Sequence, residues 1–156
     1  MNGYYLLKTV HVVSSTVLFG TGLGIAFFKW ITDRSGSLPA ICVVSERVVW
    51  ADWLFTLPAI VAQAATGFAL ARYLNYPLLR GWLAWSIVLF CVAGLCWLPV
   101  VWLQLRMRDL AREAERGEAS LGTKYRAYAK VWFWLGIPAF ASVILIFWLM
   151  VTKPNL

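Results

Sequence analysis

Histidine and cysteine are scarce in this sequence, and their scarcity limits the sites that the chain can build. There is one histidine, His11, and there are three cysteines, Cys42, Cys91 and Cys96. Cys91 and Cys96 are too far apart for a metal-binding pair, and their spacing turns them to different faces of a helix. The cysteines therefore predict neither a zinc site nor a disulfide framework, and we interpret them as small apolar side chains.

Acidic residues are also few, with seven Asp and Glu among 156 residues. The sequence contains no HExxH motif, no Gly-rich phosphate loop and no Ser/His/Asp set with its acid. These absences argue against hydrolytic and nucleotide-dependent chemistry. Asp52 lies near the start of an apolar segment, where we interpret it as an interfacial ion-pair partner of a basic loop residue, with a functional carboxylate as the alternative.

Apolar residues dominate instead: 62% of the chain is hydrophobic, ten residues are tryptophan, and the mean hydropathy is +0.73. About 20 apolar residues in a helix cross the hydrocarbon core of a bilayer, and four such segments fill this chain. We predict an all-α, four-helix transmembrane bundle that forms a single domain over residues 1–156, with spans at residues 5–31, 48–73, 82–105 and 131–151. The first apolar run is too long for a cleaved signal peptide and is expected to stay as an anchor.

The formal charge is +7, and the positions of the basic residues agree with the predicted topology. Ten of the fourteen basic residues flank the first and third connections: Lys29, Arg34, Arg47, Arg106, Arg108, Arg112, Arg116, Lys124, Arg126 and Lys130. The positive-inside rule therefore places these connections in the cytoplasm and both termini outside. The third helix is expected to extend into the cytoplasm as a solvated or headgroup-binding basic helix ended by Gly117. Because topology accounts for the charge, we predict no nucleic-acid partner.

One connection and one buried amide complete the predicted architecture. Residues 32–46 are rich in turn-forming residues and predict a loop before the second span. Gln63 lies within that span, and since a buried amide needs a partner in lipid, it should face the interior of the bundle.

The first helix carries a row of small residues, Thr16, Gly20 and Gly24. Such a row lets two helix backbones approach closely in lipid. We expect it to pack within the bundle, with a homo-oligomer contact as the alternative. Lys8 and His11 fall on the roughly opposite face.

His11 is the candidate functional residue, because an ionisable side chain within a span is a functional-site hypothesis by default. A neutral imidazole can ligate haem iron, and Met150, predicted at a similar depth, offers a thioether as second axial ligand. Lys8 can alternatively extend to a lipid phosphate. The competing interpretation of His11 is a hydrogen bond across two helices.

Several stretches resemble a known family over almost the full chain. These are YLLKTVHVVSSTVLFGTGLGIAFF, LPAIVAQAATGFAL, GLCWLPVVWLQLRMRDLA and GIPAFASVILIFWLMVTKP. They are similar to an uncharacterised family of bacterial integral membrane proteins, the domain of unknown function 2269, which implies a multi-pass protein of the bacterial inner membrane.

The LKTVH opening and the VTKP ending also resemble, more distantly, the HemJ-type protoporphyrinogen oxidases and the CopD-like membrane proteins. This resemblance implies bound haem b. Of the functional residues of those families, only His11 and Lys153 have counterparts in this chain. The Asn-Glu-Pro signature expected before the last helix is absent, because the chain reads TKYRAYAKVWFW there. Our leading hypothesis is a haem-binding or redox-associated protein with His11 as axial ligand and Lys153 or Lys8 as the partner of a propionate or substrate anion. The alternatives are a cofactor-free structural or accessory protein, and a small transporter or metal-handling protein.

Overall fold

The computed structural model describes residues 3–117 and 120–154, which form a bundle of long helices. The helices are α1 (Gly3–Ser35), α2 (Leu38–Tyr73), α3 (Gly81–Glu115) and α4 (Thr123–Thr152), and each is long and apolar enough to cross a membrane. Strands are absent from the described ranges. The predicted all-α, four-helix fold is therefore confirmed.

The predicted loop at residues 32–46 is wrong, because helix occupies nearly all of it. Helix α1 continues to Ser35 and α2 begins at Leu38, leaving Gly36 and Ser37 as the connection. Gly36 has a φ of +67°, a conformation that glycine adopts without a steric penalty. Pro39 then lies in the first turn of α2, where its fixed φ favours helix initiation and its missing N–H costs nothing.

Helix α2 contains one turn of π-helix at Asp52–Thr56, where the N–H of Leu57 donates to the carbonyl of Asp52. Pro58 follows immediately. Because proline has no N–H, the i to i−4 pattern cannot continue through it, and a wider turn with i to i−5 bonding replaces it. Asp52 and Thr56 are the first and last residues of this turn.

The best-packed part of the molecule lies at the end of the bundle that carries most of the basic residues, which we call the basic end. Its core contains Ile41, Val48, Leu103, Met107 and Ala111, together with Ile25, Cys42, Tyr125 and Trp132. Met107 and Ala111 on the extension of α3 are completely buried. The extension ends at Glu115, and Gly117 follows with a φ of +76°, as predicted. One face of the extension packs on the first half of α2, while charged residues such as Arg106 and Arg112 are exposed, as expected of a solvated basic helix. That it binds lipid headgroups stays a prediction.

Away from the basic end, the helices separate into two pairs. Helix α1 packs along α2, and α3 packs along α4. Between the pairs, α1 meets α4 through Phe19, whose ring centroid lies 5.8 Å from that of Phe140 and 5.6 Å from that of Phe147. This arrangement leaves space between the two pairs near the middle of the bundle.

Candidate functional site

A cavity of about 880 Å³ occupies the space between the two helix pairs. All four helices contribute to its wall, which is almost entirely apolar; Phe19, Ile60, Phe90 and Phe140 are representative. Cavities between the helices of a bundle are common positions for ligands, and a few convergent polar groups usually orient what binds there. The polar groups of this cavity therefore define the candidate site.

Those polar groups form a cluster around Asp52, which we call the Asp52 cluster: Asp52, Thr56, Trp97 and Gln104. Asp52, Thr56 and Gln104 are 5%, 4% and 3% exposed, and Thr56, Gln104 and Trp97 surround the carboxyl group of Asp52. Asp52 and Thr56 lie one turn apart on the π-helical part of α2, and Trp97 and Gln104 come from α3. A carboxyl group is thus buried in an otherwise apolar cavity.

The Asp52 cluster is crowded but incompletely hydrogen-bonded. Asp52 Oδ2, Thr56 Oγ1, Gln104 Oε1 and Trp97 Nε1 are buried and have no hydrogen bond of acceptable geometry among the described residues, and the same holds for Nε1 of Trp132, which also lines the cavity. An unpaired buried polar atom costs free energy that proteins usually avoid. Several such atoms in one cavity indicate a site built to receive a polar group.

Our interpretation of Asp52 as an interfacial ion-pair partner is wrong. Its side chain is buried, and the ion pairs found among the described residues lie elsewhere. The start of α2 at Leu38 explains the error, because it moves Asp52 from the end of the helix to near its middle. Two signals in the sequence pointed to the site: an acidic residue within an apolar segment, and the nearby Pro58 that produces the π-helical turn, a feature frequent at functional sites.

His11 lies outside this cavity, at the contact between α1 and α2. Its Nδ1 is 2.8 Å from Oγ1 of Thr66, and that hydroxyl donates to the carbonyl of Ala62 at 2.5 Å. If the hydroxyl proton is used by Ala62, His11 is the tautomer with the proton on Nδ1, and Nδ1 donates to Thr66. The helices are close here, because a Cβ added to Gly67 would lie 3.3 Å from Cε1 of His11. The predicted alternative for His11, a hydrogen bond across two helices, is present.

Gln63 faces the interior of the bundle, as predicted. Its Nε2 donates to Oγ of Ser14 at 2.7 Å and also to the carbonyl of His11. Ser14 in turn donates to the carbonyl of Val10 at 2.8 Å. These bonds join α1 and α2 through a continuous polar contact that includes the backbone of His11.

A family model described as "predicted integral membrane protein (DUF2269)" matches residues 5–154. The chain belongs to this family. The match confirms the resemblance to the domain of unknown function 2269 and the assignment to a membrane. A search of curated proteins found no match, and a search of solved structures found none either.

The other residues predicted to serve a cofactor in this DUF2269 protein have separate surroundings. Lys8 is exposed, with Nζ 5.8 Å from the ring centroid of Tyr4. Lys153 is exposed just after α4, with Nζ 5.8 Å from the ring centroid of Tyr76 in the connection between α2 and α3, and Met150 is half-buried on α4. These residues and His11 are not among those that line the cavity, and their shared role at a haem stays a prediction.

The small-residue row of α1 faces away from the other helices. Thr16 and Gly20 are exposed and Gly24 is half-buried, and a Cβ added at either glycine would meet nothing within 4 Å. Our expectation that this row packs within the bundle is therefore wrong. Gly22 is the glycine of α1 that packs inside, because its Cβ would lie 3.3 Å from the ring of Phe140. The homo-oligomer contact of this DUF2269 protein stays a prediction.

Proposed function

We propose that this membrane protein binds a lipophilic molecule between its helices, with the polar end of that molecule at the Asp52 cluster. One observation carries the proposal: an apolar cavity of about 880 Å³ is lined by a buried carboxyl group that has an unpaired oxygen. Apolar walls favour an apolar ligand, and a small number of polar groups fixes its orientation. A structural protein without a ligand would gain stability by filling this space with side chains.

The cavity is only partly enclosed, which suits a ligand that arrives from the bilayer. A lipophilic molecule concentrates among the lipid chains and reaches the gap between the helix pairs from the side. Its apolar part would lie among residues such as Phe90 and Phe140, and its polar part would approach Asp52. Binding in this position is also the first step that a small transporter would need.

The test uses an environment-sensitive lipophilic dye, Nile red, and the purified protein in nanodiscs. Gly136 lines the cavity, and a Cβ there would meet nothing within 4 Å, so Gly136→Phe should fill the cavity with little strain. Gly20→Phe is the matched control, because Gly20 has equally open surroundings and lies on the outer face of α1.

We expect saturable dye binding to the unaltered protein and to the Gly20→Phe variant. The Gly136→Phe variant should bind at least about tenfold more weakly, which corresponds to 1.4 kcal/mol of binding free energy. Binding that does not saturate, or that is equally strong in Gly136→Phe, would contradict the proposal.

A second proposal retains haem b, because the hydrogen bonds of His11 suit a haem ligand. In the tautomer that donates from Nδ1 to Thr66, the neutral imidazole carries its lone pair on Nε2, as a ligating histidine needs. Nε2 has no hydrogen bond among the described residues, so it is available for iron. When bound, haem would supply redox chemistry, and Lys8 or Lys153 would pair with a propionate.

An absorption spectrum tests this second proposal. Protein purified from cells supplied with a haem precursor should show a Soret band and, after reduction, α and β bands. His11→Ala and His11→Gln should both lose these bands if the imidazole ligates iron, whereas a packing role would leave His11→Gln folded and unchanged. Unaltered protein that folds well yet shows no Soret band, even after haem is added, would refute haem binding.

We also propose that the protein resides in the bacterial inner membrane with its basic end in the cytoplasm, because the basic residues cluster at that end. Fusions to alkaline phosphatase, which is active only outside the cytoplasm, test this orientation. A fusion after Lys153 should be active, and a fusion within the connection between α3 and α4 should be inactive. The reverse pattern would refute the orientation.

A further inference from the structure

We infer that the ligand of the cavity is a lipophilic organic monocation, held by the carboxylate of Asp52. This inference rests on the proposed function and adds the charge of the ligand to it. It concerns a cation whose charge is covered by alkyl or aryl groups, because the surrounding wall is apolar. Small hydrated metal ions are poor candidates, since the wall offers few oxygen ligands to replace their water.

Charge balance is the first argument. Among the described residues that line the cavity, Asp52 is the only acidic side chain, and none is basic. A carboxylate buried without a counter-ion is strongly destabilised in an apolar environment. A ligand with one positive charge would offset that cost and keep the carboxylate ionised, whereas with a neutral or anionic ligand the carboxyl group would take up a proton instead.

The donors around the carboxyl group are the second argument. Thr56, Gln104 and Trp97 surround Asp52. No hydrogen bond of acceptable geometry reaches Oδ2 of Asp52 from the described residues, but the O–H and N–H groups of these neighbours would stabilise a carboxylate anion by donating to it. Their side chains do not bring a positive charge of their own. The cluster can thus hold a negative charge in place and leave the charge itself for a ligand to neutralise.

Aromatic side chains are the third argument. Trp97 and Trp132 both line the cavity, and indole is the side chain that attracts cations most strongly through its π face. Phe19, Phe90 and Phe140 add further rings to the same wall. A carboxylate combined with aromatic rings is a suitable environment for an organic cation and a poor one for an anion.

Tetraphenylphosphonium and tetraphenylborate provide the test, because they have nearly the same size and shape and carry opposite charges. Each ion is titrated against the Nile red complex of the unaltered protein, in nanodiscs of zwitterionic lipid, and empty nanodiscs correct for partition into the lipid. The unaltered protein should bind the phosphonium at least about tenfold more tightly than the borate, equivalent to 1.4 kcal/mol. This comparison needs no altered protein.

Two variants then assign the preference to Asp52. Asp52→Asn should abolish the preference and still bind Nile red, which shows that the variant is folded. Asp52→Glu should keep the preference, because it restores the charge. Equal binding of the two ions to the unaltered protein, or a preference that persists in Asp52→Asn, would overturn the inference about charge.

The outcome also separates this inference from the proposal on which it rests. Saturable Nile red binding that is weakened by Gly136→Phe, together with no preference between the two ions, would support a cavity for neutral lipophiles and refute only the cation. Failure of Nile red to bind saturably would refute both.

Discussion

Lys29 carries a completely buried charge, and we predict that removing this charge costs less than removing its partner. The side chain of Lys29 is 1% exposed, and Nζ lies 2.6 Å from Oδ1 of Asp33, whose side chain is 18% exposed. Nζ also donates to the hydroxyl of Tyr125, which in turn donates to Asp33 at 2.6 Å. The three side chains link α1 to the start of α4 at the basic end.

The magnitudes follow from which charge each variant leaves behind. Asp33→Asn leaves the ammonium group of Lys29 buried without its counter-ion, and we expect a loss of about 3 kcal/mol, the lower end for broken buried pairs. The lower end applies because the hydroxyl of Tyr125 remains, and its ring centroid lies 4.9 Å from Nζ. Lys29→Met leaves Asp33, which is partly exposed and keeps its bond to Tyr125, so the loss should be about 1 kcal/mol.

The double variant, Lys29→Met with Asp33→Asn, completes the test. Without the ammonium group, the charge of Asp33 is no longer needed, so the double variant should be within about 0.5 kcal/mol of Lys29→Met alone. Unfolding in mixed micelles, at rising mole fractions of sodium dodecyl sulfate and followed by circular dichroism, measures each free energy. Equal losses for the two single variants, or additive losses in the double variant, would refute this reasoning.

Three further predictions use the same unfolding assay. Gly22→Leu should destabilise the protein by about 1–3 kcal/mol through overpacking, because a Cβ at this position already lies 3.3 Å from the ring of Phe140; unchanged stability would show that the helices are not in contact there. Gly20→Leu, with nothing within 4 Å of its Cβ, should unfold like the unaltered protein, yet it should reduce chemical cross-linking between copies if the small-residue row forms a homo-oligomer contact. Arg112→Ala should cost less than about 1 kcal/mol, because Arg112 and Glu46 lie 2.6 Å apart with side chains 44% and 39% exposed; a loss above 2 kcal/mol would contradict a surface role for this pair.

The number of helices and their ability to cross a membrane could be predicted from the sequence, because the hydropathy of each segment depends only on its own residues. The same reasoning predicted the inward position of Gln63, since an amide in lipid has to find a partner. It failed at the start of α2, where turn-forming residues suggested a loop. Pro39 is compatible with both a turn and a first helical turn, and the packing of Ile41 against α3 decided between them.

The candidate site depended on tertiary structure. Asp52 and Gln104 lie on different helices, and their proximity follows from the packing of α2 against α3. Periodicity along one helix could not show that the two helix pairs would separate and leave a cavity beside these residues. The sequence did contain the acid itself, but its burial follows from the longer α2.

The small-residue row of α1 shows most clearly what a sequence cannot determine about helix packing in a membrane. The sequence by itself determined that Thr16, Gly20 and Gly24 share one face of a helix. It did not determine what covers that face, because lipid chains are as apolar as the side chains of a neighbouring helix, and hydropathy cannot distinguish the two surroundings. Only the tertiary structure decided that Gly22 contacts Phe140 while Gly20 faces outward, since that choice depends on how whole helices fit together.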